Sequence, residues 1–239
     1  MVDWVEKRNS QFVIWGIIEG ENKNSLSVMK RSKYYRLLDS KPHMKIYPFS
    51  RMFPKKKLIL TQKVTNEALS CLDNFYQNLN FYTQEDLGFQ NQFFSYSENG
   101  EILYCIQATT VLWKFKQLYG VPAIDKLVLG IGKHFPMNRI VNPANHHFAY
   151  ASAFYCKEGQ APGFEDFLET VLTHLGVHSL WAMIDNRSPL ATTFKNIKKP
   201  GLQSLVGPSG GGIINYYSHD MGHEDSELLP SYLPSLDSI

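Results

Sequence analysis

The sequence lacks the features that mark membrane, secreted and polyanion-binding proteins. No apolar run reaches the about 18 residues that a membrane-spanning helix needs, and the first residues have neither the basic nor the apolar part of a signal peptide. Three cysteines without paired spacing exclude a disulfide framework and indicate a reducing compartment. With 24 basic and 22 acidic side chains, the charge is too balanced to predict a nucleic-acid partner. We therefore expect a cytoplasmic protein that binds neither nucleic acid nor membranes.

Apolar and aromatic residues, in contrast, are plentiful. They make up 44% and 13% of the 239 residues, enough to bury one large core or two small ones. A proline-bounded basic run around Pro54 predicts a boundary between two units. We expect a partial half-lobe over residues 1–54, a complete domain over 55–220 and a mobile acidic tail over 221–239.

The periodicity of the apolar residues predicts a mixed, largely antiparallel sheet flanked by helices on both faces. Thr65 is placed to cap a helix with an apolar face of about four turns. Asn99-Gly100, between two strand-like runs, is typical of a tight hairpin. After it come a strand ending at Cys156, a helix beginning near Gly163, and further strands and a helix up to about residue 219.

Two segments of the chain resemble each other. "FVIWGIIEGENKNSLSVMKRSKYY" and "HSLWAMIDNRSPLATTFKNIKKPG" both run through a strand, a carboxylate, an asparagine, a serine, a helix and a basic cluster. Two copies are too few for a solenoid, so the pattern indicates a duplicated domain whose first copy is partial.

The first of these segments also resembles a known family. "ENKNSLSVMKRSKY" is similar to the Asn-x-x-Ala/Ser-x-x-Leu-Tyr-x-Lys-x-Gly-Phe signature of the GNAT superfamily of CoA-dependent acyltransferases, with Asn22, Ser25, Val28 and Arg31 in register. The second segment and its surroundings resemble that family's core, in which a strand leads into a pyrophosphate loop and a helix, then a splayed strand, a second helix and a hairpin. The resemblance implies the C-terminal part of a tandem GNAT protein.

The stretch "KEGQAPGFEDF" lies where that family has its pyrophosphate loop, Gln/Arg-x-x-Gly-x-Gly/Ala. Backbone N–H groups at a helix N-terminus bind phosphates well, and small residues allow a close approach. The resemblance implies acetyl-CoA as cofactor and five binding residues: Lys157, Gly159, Gln160, Gly163 and Asn186.

The same loop departs from the pattern in two places. Pro162 removes one N–H donor, and Glu165 puts a carboxylate where the family has glycine or alanine. The alternative is an ordinary turn before a helix, with Glu165 and Asp166 in the first helical turn.

Three residues are candidate catalytic groups by the same resemblance. Asp185 at a strand end is the candidate base, and Tyr155 and Tyr216 are the candidate acids. The family's own tyrosine position falls near Phe194, which has no proton to donate. Each candidate also has a structural interpretation: Asp185 as a cap before Asn186, and the tyrosines as core or hairpin aromatics.

These observations lead to an acyltransferase-like protein, either a divergent N-acetyltransferase or a degenerate lobe with weak or no turnover. One alternative is a non-catalytic binding or dimerisation module. A less favoured one is a metal-dependent α/β enzyme using His174, His178 or the run from His219 to Asp225, although Gly176 interrupts the first pair and no metal site is expected.

The expected partners are a small amine substrate and a second chain. The amine would bind between Trp181, Asp185 and Tyr216, where aromatic walls and a carboxylate suit a cation. A homodimer or a partner chain would complete the N-terminal half-lobe, because two or three strands alone bury too little surface.

Overall fold

The structure is a computed structural model that describes residues 12–19, 22–31, 36–37, 44–50, 57–79, 92–113, 146–197 and 211–219. Within these ranges the chain forms eight strands and four helices, and none of the helices is long and apolar enough to cross a membrane. The strands are β1 (Phe12–Glu19), β2 (Arg36–Leu37), β3 (Met44–Phe49), β4 (Gln92–Glu98), β5 (Glu101–Trp113), β6 (His146–Cys156), β7 (Ser179–Asp185) and β8 (Gly211–His219). The helices are α1 (Lys23–Arg31), α2 (Asn66–Tyr76), α3 (Ala161–Leu175) and α4 (Pro189–Lys195).

All eight described strands belong to one sheet, in the order β1-β8-β3-β7-β6-β5-β4, with β2 also on β8. Every described pair is antiparallel except β6 and β7, which run parallel with α3 as their crossover. The predicted fold class is therefore confirmed.

The elements that belong to and follow the two similar segments are interleaved in this sheet. Each segment contains an opening strand and a helix and is followed further along the chain by a closing strand: β1, α1 and then β3 for the first, and β7, α4 and then β8 for the second. β3 pairs with β7, and β8 pairs with β1, so each closing strand lies beside the opening strand of the other segment. Strands from both sides of residue 54 thus share one sheet, while the domain boundaries at 54 and 220 stay predictions.

Local sequence signals place the elements. Asn99 and Gly100 both have positive φ, 52° and 80°, as the two-residue turn between β4 and β5 requires. The Thr65 side chain accepts a hydrogen bond from the Ala68 N–H at 3.2 Å and caps α2. Gly176 ends α3 in the left-handed conformation, φ 65°.

The start of α3 differs from the prediction. The helix begins at Ala161, with Pro162 in its first turn, where a missing N–H costs nothing. Glu165 and Asp166 therefore follow the first turn, which contains no acidic residue. Glu165 therefore lies further from the helix N-terminus than the sequence indicated, and its carboxylate competes less with a phosphate there.

The helices cover both faces of the sheet. Phe154 of β6 contacts Phe164 of α3, whereas the next residue, Tyr155, contacts Phe75 of α2. Because successive side chains of a strand point to opposite faces, α3 and α2 lie on opposite sides of β6. The core is continuous with residues of β3, including the fully buried Phe49.

We expect Phe49→Ala to lower the free energy of unfolding by about 3–5 kcal/mol, since it leaves a cavity in that core. Ile59→Ala is the control, because Ile59 is 91% exposed and its loss should change stability by less than about 0.5 kcal/mol. Urea unfolding followed by circular dichroism measures both. Equal stabilities of the two variants would contradict a core that extends into residues 44–50.

Candidate functional site

The site implied by the sequence lies where β6 and β7 separate. The two strands pair only between Phe148–Ala151 and Ser179–Ala182, although β6 continues to Cys156 and β7 to Asp185. A β-bulge marks the point of separation: Gln107 of β5 faces Ala153 and Ala108 faces Ala151, so Ser152 is an extra residue. A bulge bends its strand. We call the space between residues 152–156 and 183–185 the opening.

Backbone groups of β6 point into this opening. The Lys157 N–H donates to the Leu103 carbonyl at 2.8 Å, which continues the β5 ladder. In an antiparallel pair alternate residues exchange bonds with the partner strand, so Tyr155 faces β5 and Phe154 faces the opening.

A tyrosine side chain of α2 makes hydrogen bonds to both backbone groups of Phe154. The Tyr76 hydroxyl accepts the Phe154 N–H and donates to the Phe154 carbonyl, both at 3.0 Å. Tyr76 is 2% exposed. Its hydroxyl thus lies on the free edge of β6, where a neighbouring strand or an extended ligand would otherwise make the same two bonds.

Aromatic rings fill the α3 side of the opening. The Phe194 ring of α4 lies 4.8 Å from that of Phe154 and 5.8 Å from that of Phe164, in edge-on contacts that are favourable for aromatic pairs. Phe164 and Phe194 are both buried. Phe194, near the family's proton-donating tyrosine position, is a core residue.

Several backbone donors of the loop between β6 and α3, and of the first turn of α3, are used within the protein. The Gln160 N–H donates to the Lys157 carbonyl at 3.0 Å, closing a turn in which Gly159 has a φ of +79°. The Gly163 N–H donates to the Gln160 carbonyl at 3.2 Å, and Pro162 has no N–H. Of the four backbone positions from 160 to 163, two therefore have N–H groups that are already bonded, and a third has no N–H.

Position 163 has no room for a side chain because another side chain of the protein lies against it. The Tyr104 hydroxyl donates to the Gln160 carbonyl at 2.8 Å. It lies only 2.3 Å from where a Cβ on Gly163 would be, so any side chain there displaces it. Burial above all, followed by the nearby Cys156, raises the pKa of Tyr104 to about 12.

Two further predicted cofactor residues have partners within the chain. The Lys157 ammonium lies 2.5 Å from the Glu101 carboxylate. The Asn186 side-chain oxygen accepts a hydrogen bond from the Tyr47 hydroxyl of β3 at 2.9 Å. Lys157 follows the end of β6 and Asn186 follows the end of β7, and because these strands run parallel, both residues lie at the same end of the sheet. Each is bonded to another side chain of the protein there.

The candidate base Asp185 is bonded to Arg187. The Arg187 backbone N–H and Nε donate to one carboxylate oxygen of Asp185 at 2.9 and 3.0 Å, and Nη2 donates to the other at 2.7 Å. Asp185 is fully buried. Both oxygens therefore stabilise the turn before α4, whereas the N-cap of that helix is Ser188 and not Asp185, as the structural alternative had it. A proton acceptor here first has to give up charge-assisted bonds.

The candidate acid Tyr155 contacts α2. Tyr155 lies on the α2 face, its ring 6.2 Å from that of Phe75. Burial, and then the neighbouring Cys71, raises the pKa of Tyr155, which makes it a weaker acid. Tyr216 belongs to β8, opposite Trp15 of β1, and its side chain lies outside what the structure describes. The ring of Trp181, the proposed wall of an amine site, lies 5.0 Å from that of Phe148 and is tilted against it by 33°.

The histidines do not form a metal site among the described residues, which contain no group of three metal-ligating side chains. His174 contacts Gln62 and the ring of Phe94, whereas His178 bonds to the backbone of His147. Burial lowers the pKa of His178. The side chains of the run from His219 to Asp225 lie outside the described residues.

Sequence reasoning missed three tyrosines that shape this site: Tyr47, Tyr76 and Tyr104. Tyr47 lies beside the predicted tyrosine position, its ring 5.7 Å from that of Phe194, and burial raises its pKa. It precedes Asn186 by 139 residues, and Tyr76 precedes Phe154 by 78. Helical spacing predicted that Tyr76 is buried, but no local signal identified the partner of its hydroxyl.

Comparison with known proteins gives structural likenesses only. No sequence profile of a known family and no curated protein matches the chain. Two structures of Saccharomyces cerevisiae N-myristoyltransferase with bound myristoyl-CoA are similar, with TM-scores of 0.36 and 0.38 and identities of 10% and 9%. They cover 69% and 71% of this chain, which spans 40% and 39% of theirs.

A GNAT-family acetyltransferase from Colwellia psychrerythraea is similar at a TM-score of 0.39 and 8% identity, over 86% of this chain and 65% of that one. Likenesses of this size add nothing beyond what the strand order shows. The order of strand, loop, helix, parallel strand that separates and second helix is the one that the resemblance implied for the core. Of the implied closing hairpin, the structure describes one strand, β8.

We expect Gly163→Ala to destabilise the protein by about 1–3 kcal/mol, because the new methyl group collides with the Tyr104 hydroxyl. In the Tyr104→Phe background that hydroxyl is gone, and the nearest atom of the ring is 3.3 Å away. The double variant should therefore be more stable than the sum of the two single effects allows. Additive effects in urea unfolding would show that Gly163 is small for another reason.

Proposed function

We propose that this chain is an acyltransferase-like lobe of the degenerate kind, with weak or no acetyl transfer on its own. The observation that carries the proposal is the opening between β6 and β7, which the protein fills with Tyr76 on one side and Phe194 on the other. A ligand that lies along β6 would have to displace both.

The residues present do not fit acetyl-CoA in this arrangement. In the implied pyrophosphate loop the Gln160 and Gly163 N–H groups are already bonded, and the Tyr104 hydroxyl occupies the space beside Gly163. Lys157 is paired with Glu101. Gln160, Gly163 and Lys157, which resemble parts of a phosphate loop, each make an internal contact, and this favours a non-catalytic role in binding.

The catalytic candidates support the same conclusion. The carboxylate of Asp185 is bonded through both oxygens to Arg187, and Phe194 cannot donate a proton. As a binding module, the chain would act with a second copy or with a partner chain that contributes the active lobe, and a small amine remains the proposed small-molecule ligand. The odd number of cysteines and their free state fit a proposed cytoplasmic location.

One observation favours the second candidate, a divergent N-acetyltransferase. Tyr47 presents a hydroxyl beside Phe194, held by Asn186 at 2.9 Å. A tyrosine reaching the site from β3 is placed to replace the proton donor that α4 lacks. In that case Tyr47→Phe, which removes only the hydroxyl, should lower the rate without affecting the binding of the cofactor.

The test is the release of free thiol from acetyl-CoA with polyamines and amino-acid amines as acceptors. We expect the rate with protein to equal the rate without it, because the candidate base Asp185 is bonded to Arg187 through both carboxylate oxygens. Release that scales with protein and acceptor, and that falls in Tyr47→Phe, would establish the acetyltransferase instead.

Binding is measured separately by thermal unfolding with acetyl-CoA. A ligand at 100 times its Kd stabilises a protein by about 2.7 kcal/mol. We expect no shift with the native chain up to millimolar acetyl-CoA. A saturable increase in Tm would contradict the filled opening even if no thiol were released.

A further inference from the structure

We propose that the Tyr76 hydroxyl keeps the opening closed. By bonding to both backbone groups of Phe154 it protects the edge of β6 and fixes the end of α2, and its removal frees the Phe154 backbone. This inference concerns the region assigned under the proposed function, but it depends on the two hydrogen bonds and not on whether acetyl-CoA is turned over.

The first step is the geometry of those bonds. The N–H and C=O of one residue in an extended strand point to the same side, so a single hydroxyl lying in the plane of the sheet can bond to both. Tyr76 does this at 3.0 Å in each direction. The hydroxyl therefore imitates a neighbouring strand at one position, past the last β6–β7 pair at Ala151 and Ala182.

The second step concerns the position of Tyr76 in its helix. Tyr76 is the last residue of α2, and the next residue's N–H still bonds to the Asp73 carbonyl at 2.8 Å. The other end of α2 is fixed by the Thr65 cap, and Leu72 is fully buried. Only the final turn has to move for the hydroxyl to leave β6, which makes Tyr76 a positioning residue that a small local motion could release.

The third step is the cost of leaving these groups without partners. A buried N–H or C=O without a hydrogen bond is strongly disfavoured, so the edge of β6 stays closed until another donor and acceptor replace the hydroxyl. Whether a ligand can reach the edge of β6 then depends on the Tyr76 hydroxyl, which also links α2 to β6.

The experiment is amide hydrogen exchange followed by NMR at single residues, in the native chain and in Tyr76→Phe. Phenylalanine keeps the ring and removes the hydroxyl. We expect the Phe154 amide to be protected in the native chain and to exchange about tenfold faster or more in the variant, the loss that one hydrogen bond gives. The Tyr155 amide, which faces β5, should change little.

Tyr150→Phe is the matched control, because Tyr150 is on the same strand and its buried hydroxyl has no hydrogen-bond partner among the described residues. In Tyr150→Phe the Phe154 amide should exchange at the same rate as in the native chain. Equal Phe154 exchange in Tyr76→Phe and the native chain would overturn the proposal. If Tyr76→Phe does not fold, rapid exchange of Phe154 in the native chain would overturn it as well. Acetyl transfer by the native chain would refute the proposed function and leave this result unchanged.

Discussion

The separation of β6 from β7 is the constraint on which the rest of the site depends. Once two strands part inside a folded protein, their facing N–H and C=O groups need new partners, because unpaired backbone groups are rarely tolerated in an interior. Here the bulge at Ser152 parts the strands, and the Tyr76 hydroxyl supplies both partners at Phe154. The position of α2, the burial of its last residue and the aromatic filling from α4 follow from that requirement.

The same view explains why the loop resembles a phosphate site. A glycine at 163 is required wherever something approaches the first turn of α3 closely, and in this protein that neighbour is the Tyr104 hydroxyl. Lys157 keeps a positive charge at the loop, and Glu101 neutralises it. Residue types that suit a ligand here make contacts within the chain, so a motif match alone does not identify its ligand.

The sequence predicted what local chemistry determines. The turn at Asn99-Gly100 and the Thr65 cap follow from conformational preferences of a few residues, and both are present. The start of α3 was placed two residues late, although Pro162 favours the first turn of a helix and could have indicated it. The repeat in the sequence indicated duplication, but the exchange of β3 and β8 between its copies depends on long-range pairing. For the same reason Tyr47, the distant partner of Asn186, was not predicted. Arg187, the partner of Asp185, was also missed, although it is only two residues away in the sequence.

The central claim is that the protein closes its own opening, and a crystal structure grown with millimolar acetyl-CoA tests it most directly. The account predicts a Tyr76 hydroxyl within hydrogen-bond distance of both backbone groups of Phe154, with Phe194 against Phe154 and no ligand between β6 and β7. An acetyl-CoA chain lying along residues 152–156, with Tyr76 and Phe194 moved aside, would contradict it.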